Sequence, residues 1–265
     1  MSQRAENNFR LELYRDLDEI VSAMKNLAQV ELHLVAKAES VQARAWTTTV
    51  DALQQLLQHT SFASEPQPRG SNRTIILLGS ERGFCGGFNE QIARAFKAQD
   101  IAGARVLVMG SRLMNKLAVD HITQAFAGPT TTDEVLPCLQ NLMEQLLLQP
   151  LPDSLQVLCH GTNGVAWEVL LPVPASDNRS AAAALQIQLP PQDLLRELQW
   201  QMVQQGLLRQ LLVSLKNENR HRLQQMEGAR EHLEELTQNL RLRINALRQQ
   251  EIVEEIEVIF ADQPQ

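Results

Sequence analysis

Two uninterrupted stretches constrain this chain more than any other feature. No Pro or Gly falls between Phe9 and His59, and no Pro falls between Pro191 and about Ile259. In the first stretch, steps of four and three pick out Leu13, Leu17, Ile20, Met24, Leu27, Glu31, Leu34, Ala38, Val41, Ala45, Thr48 and Ala52. That is a heptad seam with Glu31 as its clearest flaw, and a period of 3.5 asks for partner helices along its length. At 1.5 Å per residue the helix would reach roughly 75 Å, more than a compact domain needs for its own core. In the last stretch, Met226, Leu233, Leu240 and Leu247 recur every seventh residue, Leu236 fills an intermediate position, and Ile252, Ile256 and Ile259 continue an apolar stripe. Pro191, followed by Gln192 and Asp193, reads as its start. Unbroken, this helix would span roughly 90 Å or more. Gly206 and Gly228 each cost about 1 kcal/mol against Ala inside a helix, so each marks a bend or a close approach of another backbone. Antiparallel pairing of the two stretches would bury both seams within one chain. Such a rod suits connecting two assemblies better than enclosing a substrate.

The residues between have a different texture. Ser64–Asn72, with Pro66, Pro68 and Gly70, ends the first helix. Thr74–Gly79 and Ala104–Gly110 are short apolar runs closed by Gly, each followed by a helix-like stretch, Asn89–Lys97 and Ser111–Leu117. Thr131–Leu148 reads as a further helix, with Asp133 and Glu134 in its first turn; Ser154–His160 and Ala166–Val173 are further strands. Strands alternating with helices predict a mostly parallel sheet covered by helices. The expected fold class is therefore α/β. A long antiparallel coiled coil of N- and C-terminal helices (residues 1–62 and 191–265) flanks a small, Rossmann-like central domain (73–190).

Composition narrows the function. Aromatics are only 4% of residues, and the formal charge is −7. That charge provides no electrostatic footprint for nucleic acid. Cys85, Cys138 and Cys159 have no paired spacing for a disulfide framework or a zinc site, and a reducing compartment is the simpler reading. The polar Met1–Arg10 does not read as a signal peptide. No apolar run approaches the roughly 18 residues of a membrane span. Work at a membrane would go through another protein, without direct insertion.

Candidate chemistry is sparse. Gly79–Asn89 (GSERGFCGGFN) follows a strand and opens a helix, where phosphate loops occur. It lacks the Lys and Ser or Thr of a P-loop, since Phe88 and Asn89 follow Gly86 and Gly87. A tight strand-to-helix turn and a partner contact are the other readings. Cys85 could be activated by a helix N-terminus, or be a structural thiol. Cys159 and His160 are adjacent and would point to opposite faces of a strand, a poor metal pair. Glu251, Glu254, Glu255 and Glu257 crowd the last turns against the helix dipole, as a solvated face or as a contact for a basic surface. Arg241, Arg243 and Arg248 lie just before them.

Three segments, in order, resemble the gamma subunit of F-type ATP synthases. Ile20–Ala28 (IVSAMKNLA) is similar to the family's N-terminal motif. Gly79–Asn89 is similar to its Ser-Asp-Arg-Gly-Leu-Cys-Gly-Gly-Leu-Asn. Ile244–Ile256 (INALRQQEIVEEI) is similar to its Tyr-Asn-x-x-Arg-Gln-x-x-Ile-Thr-x-Glu-Ile. Leu170–Pro172 and Glu218–Arg222 also fit. The resemblance implies a non-catalytic central rotor stalk without cofactor or metal. Its coiled coil would enter a ring of alpha and beta subunits, and its α/β foot would bind the epsilon subunit and rest on the membrane c-ring, at the cytoplasmic face of the bacterial inner membrane. Residues carried over as partner contacts are Met24 with the adjacent Lys25, then Arg82, Gly83, Cys85, Gly86, Gly87 and Asn89, and the pair Arg248 and Gln249. Departures point to a divergent branch, similar to alternative bacterial F-type ATPases associated with sodium transport. Gln29, Val30 and Glu31 stand where the family has a Lys nearby, Ile244 replaces its Tyr, and Val253 its Thr. The tip, Phe260–Gln265, is not small and apolar. The other reading is a nucleotide-binding α/β enzyme with a coiled-coil dimerisation arm; a generic coiled-coil scaffold would explain the helices but not the middle motif.

Overall fold

A computed structural model describes residues 3–59, 72–172 and 187–261. The chain ends are α1 (Gln3–His59) and α5 (Pro191–Ala261), of 57 and 71 residues. Between them lie β1 (Arg73–Leu78), α2 (Phe88–Lys97), β2 (Ala104–Met109), α3 (Ser111–Met114), β3 (Gln124–Phe126), α4 (Val135–Leu147), β4 (Ser154–Gly161) and β5 (Gly164–Leu171). Pro66, Pro68, Gly70 and Val173 fall outside the described residues. No helix among the described residues is long and apolar enough to cross a membrane.

The chain divides into two compact units, Met1–Gln29 with Arg222–Gln265, and Val30–His221. In the first, α1 and α5 run antiparallel, since partners descend along α5 as they ascend along α1. Arg4 meets Glu251 at 2.9 Å, Asp18 meets Arg230 at 3.4 Å, and Lys25 meets Glu227 at 3.2 Å. On α5 the expected seam holds: Met226 is buried, and Leu233, Leu236, Leu240 and Leu247 are half-buried. On α1 it lies one residue later than expected. Asn7 and Ala28 are buried and Leu11, Tyr14, Asp18, Val21 and Lys25 half-buried, whereas Leu13, Leu17, Ile20 and Leu27 are 46%, 39%, 57% and 49% exposed. Two stripes with the same seven-residue repeat lie side by side on this helix. The apolar one looks like the seam, yet the one packed on α5 carries Asn7, Asp18 and Lys25. The two charged members are satisfied there by ion pairs to α5.

In the second unit the sheet order is β3-β2-β1-β4-β5, parallel except for β5, which pairs antiparallel with β4. This is the mostly parallel sheet expected, with β3 an added edge strand too short to be read from sequence. β1 is buried on both faces, as a central parallel strand should be. Its Ile76 and Leu78 join β4 Val157 and Cys159 under α4 and α5, with Val35 of α1. Its Ile75 and Leu77 face Phe88, Ile92 and Phe96 of α2. Cys159 and His160 point to opposite faces, as strand alternation requires: Cys159 donates to Gln210 of α5 at 3.3 Å, and His160 stacks on Phe88 of α2.

The one-residue shift persists on α1 here. Val35, Gln42 and Leu53 are buried, while Leu34 and Val41 are 42% and 67% exposed. Glu31, the apparent flaw, is buried because its carboxylate accepts from the Thr132 amide and hydroxyl, both at 3.0 Å, in the turn that opens α4. Gly206 is a close-approach site for side chains and not for another backbone, because a Cβ there would lie 2.7 Å from Leu170 Cδ2 and 3.2 Å from the Trp46 ring. At Gly228 a Cβ would meet nothing within 4 Å.

Candidate functional site

The β1–α2 turn, residues 79–89, is organised by what it buries. A Cβ on Gly79 would sit 2.2 Å from Leu113 Cβ, so only glycine lets β1 end against α3. The Ser80 amide donates to Asn89 Oδ1 at 3.0 Å, and Asn89 Nδ2 returns a bond to Ser80 Oγ at 2.7 Å. Ser80 Oγ lies 3.3 Å from Cys85 Sγ and donates to the Arg82 carbonyl at 3.0 Å. Ser80, Cys85 and Asn89 are all buried, so polar side chains fill the interior of the turn. They staple strand to helix. Cys85 is one of these packing groups.

Glu81 anchors the base of the turn to the ends of the neighbouring strands. Its carboxylate accepts from Ser111 Oγ at 2.6 Å, the Ser111 amide at 3.0 Å and the Gly128 amide at 2.9 Å. Burial alone would raise this carboxyl, but those hydrogen bonds and the nearby Arg112 outweigh it and hold it below the usual carboxylate range. Gly110 lets these elements approach. Its φ of 106° suits glycine, and a Cβ there would meet Gly79 O at 2.6 Å.

The motif therefore splits by direction. Cys85 and Asn89 point inward, whereas Arg82, Gly86 and Gly87 are exposed and Gly83 half-buried. Phe84 was not among the residues singled out from sequence. It is 67% exposed and held at a φ of 62°, which is rare for a bulky side chain. Its signal was present all the same: a large apolar residue set between glycine-rich neighbours at a loop tip.

The other sequence candidates lie in the helical unit. Met24 is half-buried, and Lys25 is half-buried in the pair with Glu227. Arg248 and Gln249 are exposed. The structure does not bring these two groups level: Lys25 sits opposite Glu227, while Arg4 sits opposite Glu251. About 20 residues of helix, roughly 30 Å, separate those two levels. The sites are distributed contacts, not one constellation. Beside them runs the exposed stripe Phe9, Leu13, Leu17, Ile20 and Leu27, between 39% and 67% exposed. Exposed apolar rows of this kind are a feature of interaction surfaces.

Two terminal helices of 57 and 71 residues, with a mostly parallel five-stranded sheet between them in the sequence, define an α/β protein with unusually long end helices. Comparison with known proteins agrees. A family profile described as ATP synthase matches residues 5–261. The ATP synthase gamma chain of Sulfurovum sp. (strain NBC37-1) is 24% identical, the alignment covering 98% of each chain. That of Chlorobaculum parvum is 24% identical over 95% of this chain and 94% of the relative. A chain in the cryo-EM structure of Euglena gracilis mitochondrial ATP synthase, OSCP/F1/c-ring in rotational state 3, has the same fold at a TM-score of 0.68. It is 16% identical, over 97% of this chain and 92% of that one. The chain belongs to the ATP synthase family, as a gamma-type, non-catalytic central-stalk subunit.

Proposed function

We propose that the chain works as the rotor shaft of an F-type ATP synthase, with its apolar α1 stripe as a bearing surface covered by the surrounding subunits. Residues 1–62 and 191–265 are the shaft in this reading, and 73–190 the foot. The partners are alpha and beta subunits around the shaft, with the epsilon subunit and the membrane c-ring at the foot. The complex would sit peripherally at the cytoplasmic face of a bacterial inner membrane. Ion flow through the ring turns the shaft. Its asymmetric surface then binds each catalytic conformer differently and biases each equilibrium in turn.

The observation that carries this reading is the inversion on α1. A helix that packed only on α5 would keep its leucines for that seam; here Leu13, Leu17, Ile20 and Leu27 remain exposed. Met24 and Lys25 border the stripe, Arg248 and Gln249 are open for a polar contact at another level, and Arg82, Gly83, Gly86 and Gly87 offer a contact around Phe84. Cys85 and Asn89 contribute by holding that loop in shape. The test is co-expression with alpha and beta subunits, wild type against Leu13→Asp with Ile20→Asp. The expected result is a folded variant chain that no longer couples ATP turnover to rotation. Normal assembly and coupling would defeat the bearing-surface reading.

A further inference from the structure

Three rings from three elements meet inside the unit Val30–His221. Phe88, the first residue of α2, stacks on His160 of β4 with centroids 4.0 Å apart and planes 19° apart. His221 of α5 meets both edge-on, 5.6 Å from Phe88 and 5.3 Å from His160. Phe88 is fully buried and His160 nearly so. At the same place Asn217 of α5 donates to the His160 carbonyl at 2.7 Å and to that of Gly161 at 3.1 Å. His160 Nε2 lies 2.9 Å from the Phe88 carbonyl. A carbonyl only accepts, so Nε2 carries the hydrogen in the neutral ring and acid adds its proton at Nδ1.

Three features of this geometry oppose a charged ring. The site is buried, it lies at the positive end of α2, and a second imidazole stands 5.3 Å away. The surrounding charged groups are already engaged. On α2, Glu90 pairs with Lys116 at 2.9 Å. On α5, Lys216 pairs with Glu39, Arg220 reaches Asn217 at 3.4 Å, and Glu218 and Arg222 hold contacts of their own. On β5 the residue opposite His160 is Val165, and Glu168 lies opposite Val157.

We infer that this triad is a pH-gated latch: with both imidazoles neutral it clamps the Asn217–His221 turn of α5 to β4 and α2, and protonation opens that contact locally. Burial, first of all, holds both histidines below their usual range; for His160 the bond to the Phe88 carbonyl opposes this without cancelling it, and the neighbouring His221 adds a smaller push downward. Protons therefore bind the open form better. Stability from the latch is complete above the ordinary histidine value and falls as pH drops below it. The inference concerns this chain's own packing and stands apart from the partner contacts proposed above.

The test uses the full chain and two readouts. Urea unfolding from pH 7.5 to 5 should show the unfolding constant rising about tenfold per pH unit for one excluded proton, and up to about a hundredfold for two. His221→Phe keeps an edge-on ring and should lower that slope; His160→Phe with His221→Phe should flatten it across the histidine range. Hydrogen exchange, corrected for its intrinsic pH dependence, should rise on acidification in α2 and in residues 210–221 before it rises in β1 and β2. Equal slopes in wild type and variants, or exchange that rises uniformly across the sheet, would overturn the latch. Should the double variant fail to fold, NMR titration of the two imidazoles in the wild-type chain decides. Titration of either at or above the ordinary histidine value also overturns it.

Discussion

Leu27 and Ala28 are neighbours on α1 with opposite fates, and replacing each by Asp tests which stripe faces α5. Leu27 is 49% exposed and Ala28 only 1%. A fully buried leucine contributes about 1.5–3 kcal/mol, so the half that Leu27 buries is worth roughly 1 kcal/mol. The lower helix propensity of Asp adds about 0.5 kcal/mol. Leu27→Asp should therefore cost the isolated chain about 1–1.5 kcal/mol. Ala28→Asp forces a carboxylate into a position that is 1% exposed, and burying a charge there costs about 3–5 kcal/mol if it stays uncompensated. The conservative expectation, that losing a large leucine hurts more than losing an alanine, is reversed. Urea unfolding of the isolated chain reads both values from the midpoint at unchanged slope. In the assembled complex the order should invert per unit of lost stability, because Leu27 lies on the surface proposed to meet other subunits. If Leu27→Asp destabilises the lone chain as much as Ala28→Asp, the one-residue assignment of the seam is wrong.

Three further outcomes follow from the sheet domain. Gly110→Ala should cost about 2–5 kcal/mol by thermal or urea unfolding, from backbone strain of about 1–3 kcal/mol and the overlap with Gly79; Gly103→Ala, where a Cβ meets nothing within 4 Å, should cost about 1 kcal/mol. Glu81→Gln should cost about 1.5–3 kcal/mol near neutral pH by weakening charge-assisted hydrogen bonds. Because the Glu81 carboxyl is depressed on folding, its contribution is present above the usual value of 4.5 and lost as pH falls below it, so the variant's stability should fall less steeply on the acid side. Cys159, buried and pushed up to about 12, should resist a thiol reagent at pH 8 until the chain unfolds. Rapid labelling in the native state would contradict its placement.

Repeats and alternation made most of the fold legible. Seven-residue spacing gave α5 its seam at Met226, Leu233, Leu240 and Leu247, and apolar runs closed by glycine located β1 and β2. The seam of α1 was misplaced because a heptad count rewards apolarity, and the repeat is as regular in the exposed stripe as in the packed one. Only partners on α5 distinguish them: Arg230 for Asp18 and Glu227 for Lys25, each about 200 residues away in sequence. Similarly, Glu31 looked like a flaw because its partner, Thr132, lies on another element. The turn motif was legible as a strand-to-helix connection. Its division into a packed inner face and an exposed Phe84 was not, because that depends on a backbone angle at Phe84 that the sequence does not specify.

The inverted distribution on α1 has a physical logic. Ion pairs along the edge of a coiled coil contribute little stability, since solvent screens them, but they favour the register in which they pair. Asp18–Arg230 and Lys25–Glu227 therefore bias α1 and α5 toward this register, because a slip in either direction breaks both pairs. Apolar residues would hold the helices together with less discrimination between registers. Placing these pairs along the packed stripe, beside Leu11, Tyr14, Val21 and Ala28, favours one axial alignment and leaves the leucines of the other stripe facing outward, where contacts that form and break repeatedly need no charge to be desolvated. A shaft that must keep its own register while its neighbours slide past asks for this division. Exchanging the pair as Asp18→Lys with Arg230→Asp preserves complementarity, so it should restore most of what either single change loses. A double variant no better than the singles would show that these charges do not set the register.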